Sequence, residues 1–358
     1  MGAKMIAAVY YGPFDLRVVE RPIPEIESGE VLLKVAKASI CSTDLRILHG
    51  SHGKCPPGTV RVLGHEVAGD IAQVGDGVKD LTVGMRVFVA PNIGCGRCRL
   101  CITGNTNLCP DCEAIGVTID GAFAEYLRIP AAAVLQGNLI PLGDGVKPEV
   151  SPMIEPLACV MRGQTAVGVA FDDDVLVIGA GPVGIMHMMV AKLRGARRVI
   201  VSEVIPERAE QAERLGADRV VNPERDDLAA VLAEETDGTG ADVVIVAAPS
   251  HAAQESALEL AGIGGRINYF GGLPKERPGI TVDSNLIHYK ELVVTGTTGS
   301  STADCWRAAA AVESGGVDLS ALVSACYPLQ QAVEAFAAAE DRKALKVVLQ
   351  EELSSLGH

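Results

Sequence analysis

Val175-Leu-Val-Ile-Gly179-Ala-Gly181-Pro-Val-Gly184 is the stretch of this sequence that decides the fold. An apolar run typical of a buried strand leads directly into a Gly-x-Gly-x-x-Gly pattern, and a helical run, Ile185–Arg194, follows it. The first glycine allows a tight turn, the second lets the backbone approach a pyrophosphate, and the third lets the helix pack on the strand. The predicted contact residues are Gly179, Gly181, Pro182, Val183 and Gly184. We therefore predict a dinucleotide-binding turn rather than an ordinary strand–helix connection.

The same strand, turn and helix pattern repeats from about residue 172 onward. Near-continuous β-branched runs separated by helical segments are typical of a parallel sheet covered on both faces. The runs are Val175–Ile178, Val199–Ser202, Val220–Asn222, Val243–Ala247, Arg266–Phe270 and Leu292–Gly296. The sequence therefore predicts an α/β fold class, with a doubly wound domain in the second half.

The end of the second strand in this domain carries an acid, Glu203, 19 residues after Gly184. A carboxylate at this place accepts hydrogen bonds from the adenosine ribose hydroxyls and repels the additional phosphate of NADP, so we predict NAD as the cofactor. Arg208 could instead bind that phosphate, although Pro206-Glu-Arg-Ala fits a solvated helix start equally well.

The first half of the chain has a β-rich pattern. Short apolar runs such as Glu30–Val35, Val67–Val74 and Arg86–Ala90 are separated by Gly, Pro and Asp turns, which is typical of a small barrel or sandwich. A last strand, Leu345–Leu349, ends the chain, and we expect it to return to this first domain.

Four of the ten cysteines lie in one short segment, as Cys95, Cys98, Cys101 and Cys109. Two-residue gaps can aim the first three sulfurs at one point, and the longer span to the fourth closes a tetrahedral zinc cage. Disulfides are the alternative, but they need an oxidising compartment and usually a small cysteine-dense domain. A cage of four sulfurs has no open position, so we predict a structural zinc in a lobe over residues 92–113. Cys112 is close enough to be a substitute ligand.

A second set of metal-ligating residue types lies outside this lobe. Cys41 and, 24 residues later, His65 combine with a carboxylate into the ligand set of a catalytic zinc that keeps one position open. Glu155, just before the doubly wound domain, and Glu66 compete as the third ligand. Considered alone, Cys41 fits a buried structural thiol, and the adjacent His65 and Glu66 fit an ion pair. Their co-occurrence with the cysteine cage and the glycine turn favours metal binding instead. We therefore predict two zinc ions per subunit.

Length and charge limit the classes of function. A chain of 358 residues exceeds the usual size of a single core, which favours two domains. With 31 basic and 45 acidic residues, the net charge of −14 argues against nucleic acid or an anionic membrane as the main partner. No apolar stretch reaches the ~18 residues of a membrane span. We expect a soluble cytoplasmic protein that acts on small molecules.

The ordered set of Cys41, Gly64-His65-Glu66, the cysteine lobe, Glu155-Pro-Leu and the glycine turn resembles the medium-chain, zinc-dependent alcohol and polyol dehydrogenase superfamily over nearly the whole chain. The resemblance implies a GroES-like catalytic domain, residues 1–155 and 297–358, with a Rossmann NAD-binding domain, residues 156–296, between its two parts. It also implies an oligomer. Bacterial members are commonly tetrameric, so we expect a homotetramer, with a homodimer as the alternative.

Within that family, Glu155 before Pro-Leu is similar to the bacterial sorbitol (L-iditol 2-)dehydrogenase branch. The resemblance places Cys41, His65 and a glutamate on the metal, with Glu66 and Glu155 able to exchange with each other or with a water. We expect Cys41, His65 and Glu155 as the ligands, with Glu66 close by. Thr43 matches the residue whose hydroxyl binds the substrate oxygen.

Two departures from the family pattern limit this transfer. Arg46 stands where many relatives have a histidine that passes protons to solvent, and a guanidinium is a poor relay. His49 is a candidate proton exit, although both residues fit an exposed loop. The stretch Thr295–Ser300 stands where animal sorbitol dehydrogenases carry an Arg-Tyr pair. Sorbitol itself is therefore not established.

The expected reaction is reversible oxidation of a secondary alcohol of a polyol to the ketone, with hydride transfer to NAD. The alternatives with the same chemistry are a cyclitol or inosose, threonine, or a phosphorylated polyol, for which Arg46, Arg162 and Lys275 offer positive charge. A catalytically inactive NAD-binding protein is the remote alternative, which two complete ligand sets disfavour.

Overall fold

The structure is a computed structural model that describes residues 2–341 and 343–351. The chain divides into two compact units: the first contains the residues up to Ala158 and those from Gly299 onward, and the second contains Cys159–Thr298. The predicted α/β class, with one β-rich and one doubly wound unit, is confirmed. Among the described residues, no helix has both the length and the apolar composition that a membrane-spanning segment needs.

The strands are β1 (Lys4–Gly12), β2 (Asp15–Pro22), β3 (Val31–Ser39), β4 (Arg61–Val62), β5 (Glu66–Val74), β6 (Arg86–Val89), β7 (Asn92–Ile93), β8 (Glu113–Ala114), β9 (Tyr126–Ile129), β10 (Leu139–Pro141), β11 (Asp174–Ile178), β12 (Arg198–Ser202), β13 (Arg219–Val221), β14 (Ala241–Val246), β15 (Ala261–Tyr269), β16 (Val293–Gly296), β17 (Val323–Pro328) and β18 (Lys346–Gln350). The α-helices are α1 (Ser42–Leu48), α2 (Arg99–Ile102), α3 (Ala131–Leu135), α4 (Ile154–Ala166), α5 (Pro182–Leu193), α6 (Pro206–Arg214), α7 (Leu228–Glu235), α8 (His251–Leu260), α9 (Ser284–Tyr289), α10 (Thr302–Glu313) and α11 (Ala332–Glu340). Short 3₁₀ turns lie at Thr106–Leu108, Ser151–Met153, Ser320–Leu322 and Leu329–Gln331.

The first unit is built on a seven-stranded sheet in the order β10-β6-β5-β3-β18-β17, with β9 also paired to β3. A three-stranded sheet, β2-β1-β4, and the small pair β7-β8 complete it. The last strand, β18, pairs antiparallel with β3, as Val348 opposite Ser39 shows. The expectation that the last strand returns to the first domain is therefore confirmed.

The second unit contains one parallel sheet of six strands in the order β13-β12-β11-β14-β15-β16. Every residue of the central strand β11 is buried, as expected for a strand covered on both faces. Helix α6 begins at Pro206 and ends before Gly216, whose positive φ of 101° stops the helix.

Helix α5 contains a fully buried histidine, His187. Its ring packs edge-on against Phe270 with the ring centroids 4.6 Å apart, and the side-chain amide of Gln164 donates to its carbonyl oxygen at 2.6 Å. Within the described part of the chain, the ring Nε2 has no hydrogen-bond partner. Burial lowers the pKa of His187 to about 3, so the ring is neutral in the folded protein.

We expect the substitution His187→Gln to make stability less sensitive to acid. The unfolded chain binds a proton at this ring below about pH 6.5, whereas the folded protein does not until about pH 3. The stabilisation from the neutral buried ring is therefore complete above about pH 6.5 and is lost as the pH falls. The free energy of unfolding of the wild type should drop by about 2 kcal/mol between about pH 7 and pH 5 because of this ring. Denaturant unfolding of both proteins over this range measures it. A difference between wild type and variant that stays constant with pH would contradict the neutral buried ring.

Candidate active site

The structure brings the four cysteines of the lobe together. Their sulfurs all lie within 4.8 Å of one another, with Cys98 Sγ 3.5 Å from Cys101 Sγ and 3.8 Å from Cys109 Sγ. Sulfurs placed about 2.3 Å from a shared tetrahedral zinc are about 3.8 Å apart, whereas a disulfide needs about 2.05 Å. The spacing therefore fits a zinc cage and not a pair of disulfides.

The backbone of the lobe is shaped for thiolates. The N–H of Cys101 donates to Cys98 Sγ, and the N–H groups of Arg97 and Cys98 lower the pKa of the Cys95 thiol. A Cβ at Gly94 would lie only 2.5 Å from Cys101 Sγ, so only glycine fits there. Cys112 lies outside the four-sulfur group, and burial raises the pKa of its thiol.

A second cluster joins three predicted residues in the first unit. One ligand atom each of Cys41, His65 and Glu66 lies within 4.8 Å of the other two. Cys41 caps the start of α1, and the other two residues lie where β5 begins. In the described ranges, this cluster and the cysteine cage are the two groups with the composition and spacing to hold a metal ion.

A glycine sets the direction of the segment that carries His65. Gly64 has a φ of +94°, and a Cβ there would lie 2.6 Å from the ring of Phe123. Gly121 also packs against the Gly64 carbonyl group. A side chain at Gly64 would therefore displace the histidine backbone.

A buried acid that the sequence analysis did not consider, Asp44, connects the two ligand segments. Its Oδ2 accepts from the N–H of Cys41 at 2.9 Å, its Oδ1 accepts from the N–H of Gly64 at 3.3 Å, and the same Oδ1 lies 3.5 Å from His65 Nδ1. Burial lowers the pKa of His65, but the charges of Asp44 and Cys41 raise it well above its usual value. The site therefore favours positive charge. An acid at the third position of a helix, three residues after the cap, is the sequence signal that could have found it.

A buried lysine, Lys346, is the second residue that sequence reasoning missed. It is 3% exposed, and its ammonium donates to both carboxylate oxygens of Glu66. The Ser39 hydroxyl donates to the same carboxylate. A lysine directly before the apolar run 347–349 of the last strand was the available signal.

Glu155 lies at the start of α4, 7% exposed and outside the three-residue cluster. Burial raises the pKa of the Cys305 thiol, and the charge of Glu155 adds to that rise. Burial lowers the pKa of Lys346, but the charges of Glu66, Cys41 and Glu155 raise it above its usual value.

The remaining predicted residues of this site lie on or next to α1. Thr43 is half-buried and Arg46 is exposed. The ring nitrogen Nε2 of His49 lies 2.6 Å from Glu340 Oε1, and its ring packs against Phe14 with the centroids 5.1 Å apart. The exposed His49 ring therefore contacts both an acid and an aromatic ring at the surface.

The glycine turn in the second unit has the geometry of a dinucleotide cradle. Gly179 has a φ of +102°, and a Cβ at Gly184 would collide with the Gly179 carbonyl oxygen. The residue at the start of α5, Gly181, has no side chain that could cap the helix, so its N–H groups can face a phosphate. Arg208 Nη1 would lie 3.5 Å from a Cβ at Gly181, and Glu203 is buried at the end of β12.

Most of the chain matches two known protein-family models. Residues 27–141 match the family model of the alcohol dehydrogenase GroES-like domain, and residues 182–314 match that of zinc-binding dehydrogenases. An L-threonine 3-dehydrogenase of Caldanaerobacter subterraneus is 34% identical over 323 residues, which are 88% of this chain and 89% of that protein.

Solved structures agree over nearly the whole length. A zinc-binding dehydrogenase of Sinorhizobium meliloti bound to NADP has a TM-score of 0.90 at 30% identity and covers 97% of this chain and 99% of its own. An alcohol dehydrogenase of Escherichia coli complexed with NADH has a TM-score of 0.89 at 31% identity, covering 98% and 100%. The L-idonate 5-dehydrogenase of Escherichia coli has a TM-score of 0.87 at 26% identity, covering 98% and 99%.

We expect Lys346→Met to destabilise the first unit by about 3–5 kcal/mol, because it leaves the Glu66 carboxylate buried without its ammonium. The double variant Lys346→Met/Glu66→Gln removes both charges and should recover most of that loss. Denaturant unfolding of the three proteins measures the effect. Equal loss in the single and double variants would contradict a role for the charge pair and would assign the effect to lysine packing.

Proposed function

The chain belongs to the medium-chain, zinc-dependent alcohol and polyol dehydrogenases, and on that premise we propose that it reversibly oxidises the secondary hydroxyl of a small polar alcohol to a ketone, with NAD as hydride acceptor. The family makes the chain an oxidoreductase with a GroES-like domain and a zinc- and nicotinamide-dependent chemistry. The observation that carries the proposal is the cluster of Cys41, His65 and Glu66 within 4.8 Å. The assignment to the sorbitol-like branch stays a prediction.

We propose that Cys41, His65 and Glu155 hold a catalytic zinc, while the cysteine lobe holds a structural one. The engagement of both Glu66 oxygens by Lys346 supports Glu155 as the third ligand, with Glu66 close by. When bound, a zinc ion with an open position acts as a Lewis acid toward the substrate hydroxyl.

The protein's own residues would then organise the reaction. Asp44 holds the Cys41 and His65 segments in one arrangement. The Thr43 hydroxyl would accept a hydrogen bond from the substrate hydroxyl and relay the released proton onward by giving up its own. A guanidinium such as that of Arg46 is a poor proton relay, so His49, paired with Glu340, is the better candidate for the proton exit.

The dinucleotide would be held in the second unit. The N-terminus of α5 and the turn at Gly179 and Gly181 offer N–H groups to the pyrophosphate. The buried carboxylate of Glu203 supports NAD over NADP, and Arg208 lies beside the same turn. The nicotinamide supplies the hydride chemistry when bound.

The relatives suggest what kind of alcohol is used. The names L-threonine 3-dehydrogenase and L-idonate 5-dehydrogenase both describe a secondary hydroxyl with a polar substituent, an amine or a hydroxyl, on the adjacent carbon. We propose the same feature for the substrate of this chain. The similarity of its Glu155-Pro-Leu motif to the polyol branch favours a polyol. L-Threonine is the second candidate, favoured by the 34% identical relative. Cyclitols and phosphorylated polyols, a homotetramer and a cytoplasmic location stay predictions.

A substrate panel tests this feature directly. With NAD, 2,3-butanediol should exceed 2-butanol in kcat/KM by at least about 100-fold, because a site that binds the second polar group leaves its partners unpaired when that group is missing. L-Threonine, sorbitol, L-idonate and myo-inositol assayed alongside rank the candidate classes. Equal turnover of 2-butanol and 2,3-butanediol would remove the proposed role of the adjacent group.

Removal of single ligands tests the metal assignment. Cys41→Ala and His65→Ala should abolish turnover and lower the zinc content from about two to about one per subunit, while NADH binding persists, since the glycine turn is unchanged. Cys109→Ala should also remove one zinc, but from the lobe. Metal analysis and NADH fluorescence titration measure both effects. Full activity of the Cys41→Ala protein would contradict zinc catalysis at this cluster.

A further inference from the structure

The carboxylate of Glu203 is almost fully engaged by backbone N–H groups. The residue is 6% exposed. Its Oε2 accepts from the N–H of Ala180 at 2.7 Å, and its Oε1 accepts from the N–H groups of Val204 at 2.8 Å and Ile205 at 2.9 Å. A carboxylate has about four acceptor sites, so about one is left for any ligand.

These bonds join two neighbouring segments of the doubly wound unit. Ala180 lies between the first two glycines of the turn after β11, and Val204 and Ile205 connect β12 to α6. The strands β11 and β12 are adjacent and parallel, with Ile178 opposite Ser202 at their ends. One further bond, from the N–H of Gly179 to the Ser202 carbonyl at 2.7 Å, joins the same two segments.

The glycine turn needs such a restraint. Glycines have more backbone freedom than other residues, and Gly179 uses a positive φ that it would leave readily in isolation. The start of α5 has no side-chain cap of its own. A charged acceptor on the N–H of Ala180 restrains the turn from the neighbouring strand, and charge-assisted bonds of this kind are the strong ones.

We propose that Glu203 is a positioning residue that holds the glycine turn in its dinucleotide-binding conformation before any dinucleotide binds. Only the identity of the ligand rests on the proposed function. The restraint serves NAD and NADP alike, because both carry the same pyrophosphate. A variant that keeps the charge at residue 203 but loses these hydrogen bonds therefore weakens the binding of both dinucleotides.

The role differs from that of a simple ribose acceptor. A ribose acceptor contributes only when the dinucleotide is bound, and its removal acts on NAD selectively. An aspartate would serve a ribose acceptor equally well, whereas its shorter side chain cannot reach the Ala180 N–H and the two N–H groups after β12 together. The two roles are therefore separable in the free protein and by Glu203→Asp.

The first experiment measures amide hydrogen exchange in the dinucleotide-free protein, in peptides that cover residues 176–184 and 201–206. In Glu203→Gln, exchange in both peptides should accelerate by at least about tenfold, as expected when one stabilising hydrogen bond is lost from a local opening. Glu210→Gln removes the same charge from an exposed position on α6 and is the matched control, with no change expected. Wild-type exchange rates in Glu203→Gln would overturn the proposal.

The second experiment compares dissociation constants for NADH and NADPH by fluorescence titration. Glu203→Asp keeps the charge but cannot make all three hydrogen bonds, so it should weaken NADH and NADPH alike, each by at least about tenfold. Unchanged NADH binding in Glu203→Asp would overturn the proposal. If wild type bound neither dinucleotide, the proposed function would fail, whereas the exchange experiment would still decide the restraint.

Discussion

The buried Asp44 carboxylate is the interaction on which the candidate metal site depends. Cys41 and His65 are far apart in sequence and lie on different elements, so something must hold both segments in one arrangement. One carboxylate does this by accepting from the N–H of Cys41 and of Gly64 while facing His65 Nδ1. A ligand geometry held by buried hydrogen bonds exists before the metal arrives, which is the usual requirement for tight and selective binding.

The split of the first unit has a chemical consequence at the same place. The chain leaves this unit after Ala158, forms the second unit and returns, and only then supplies β18. That strand pairs with β3 and brings Lys346 to Glu66, beside Ser39 at the end of β3. The last strand therefore compensates a buried charge next to two candidate ligands, in addition to completing a sheet.

The two candidate sites use the same physical solution. Asp44 in the first unit and Glu203 in the second are buried acids whose oxygens accept from backbone N–H groups of glycine-containing segments. In each case the acid restrains backbone at or next to a glycine with a positive φ. A buried carboxylate is costly without such donors, so these N–H groups both stabilise the charge and are positioned by it.

Patterns that are local in sequence could be read without a structure. The glycine turn, the β-branched runs of the parallel sheet and the spacing of the four cysteines each lie within one short segment, so the sequence alone determined the α/β class, the strand–glycine turn–helix unit and the grouping of the four cysteines. The tertiary structure decided what depends on distant residues meeting. Asp44, Lys346 and the engagement of Glu203 by backbone N–H groups were of this kind, and so was the grouping of Cys41 and His65 with Glu66. Hydrogen bonds between segments far apart in the chain, and the burial that makes a charge need them, are set by how the sheets pair, and no local pattern encodes that pairing.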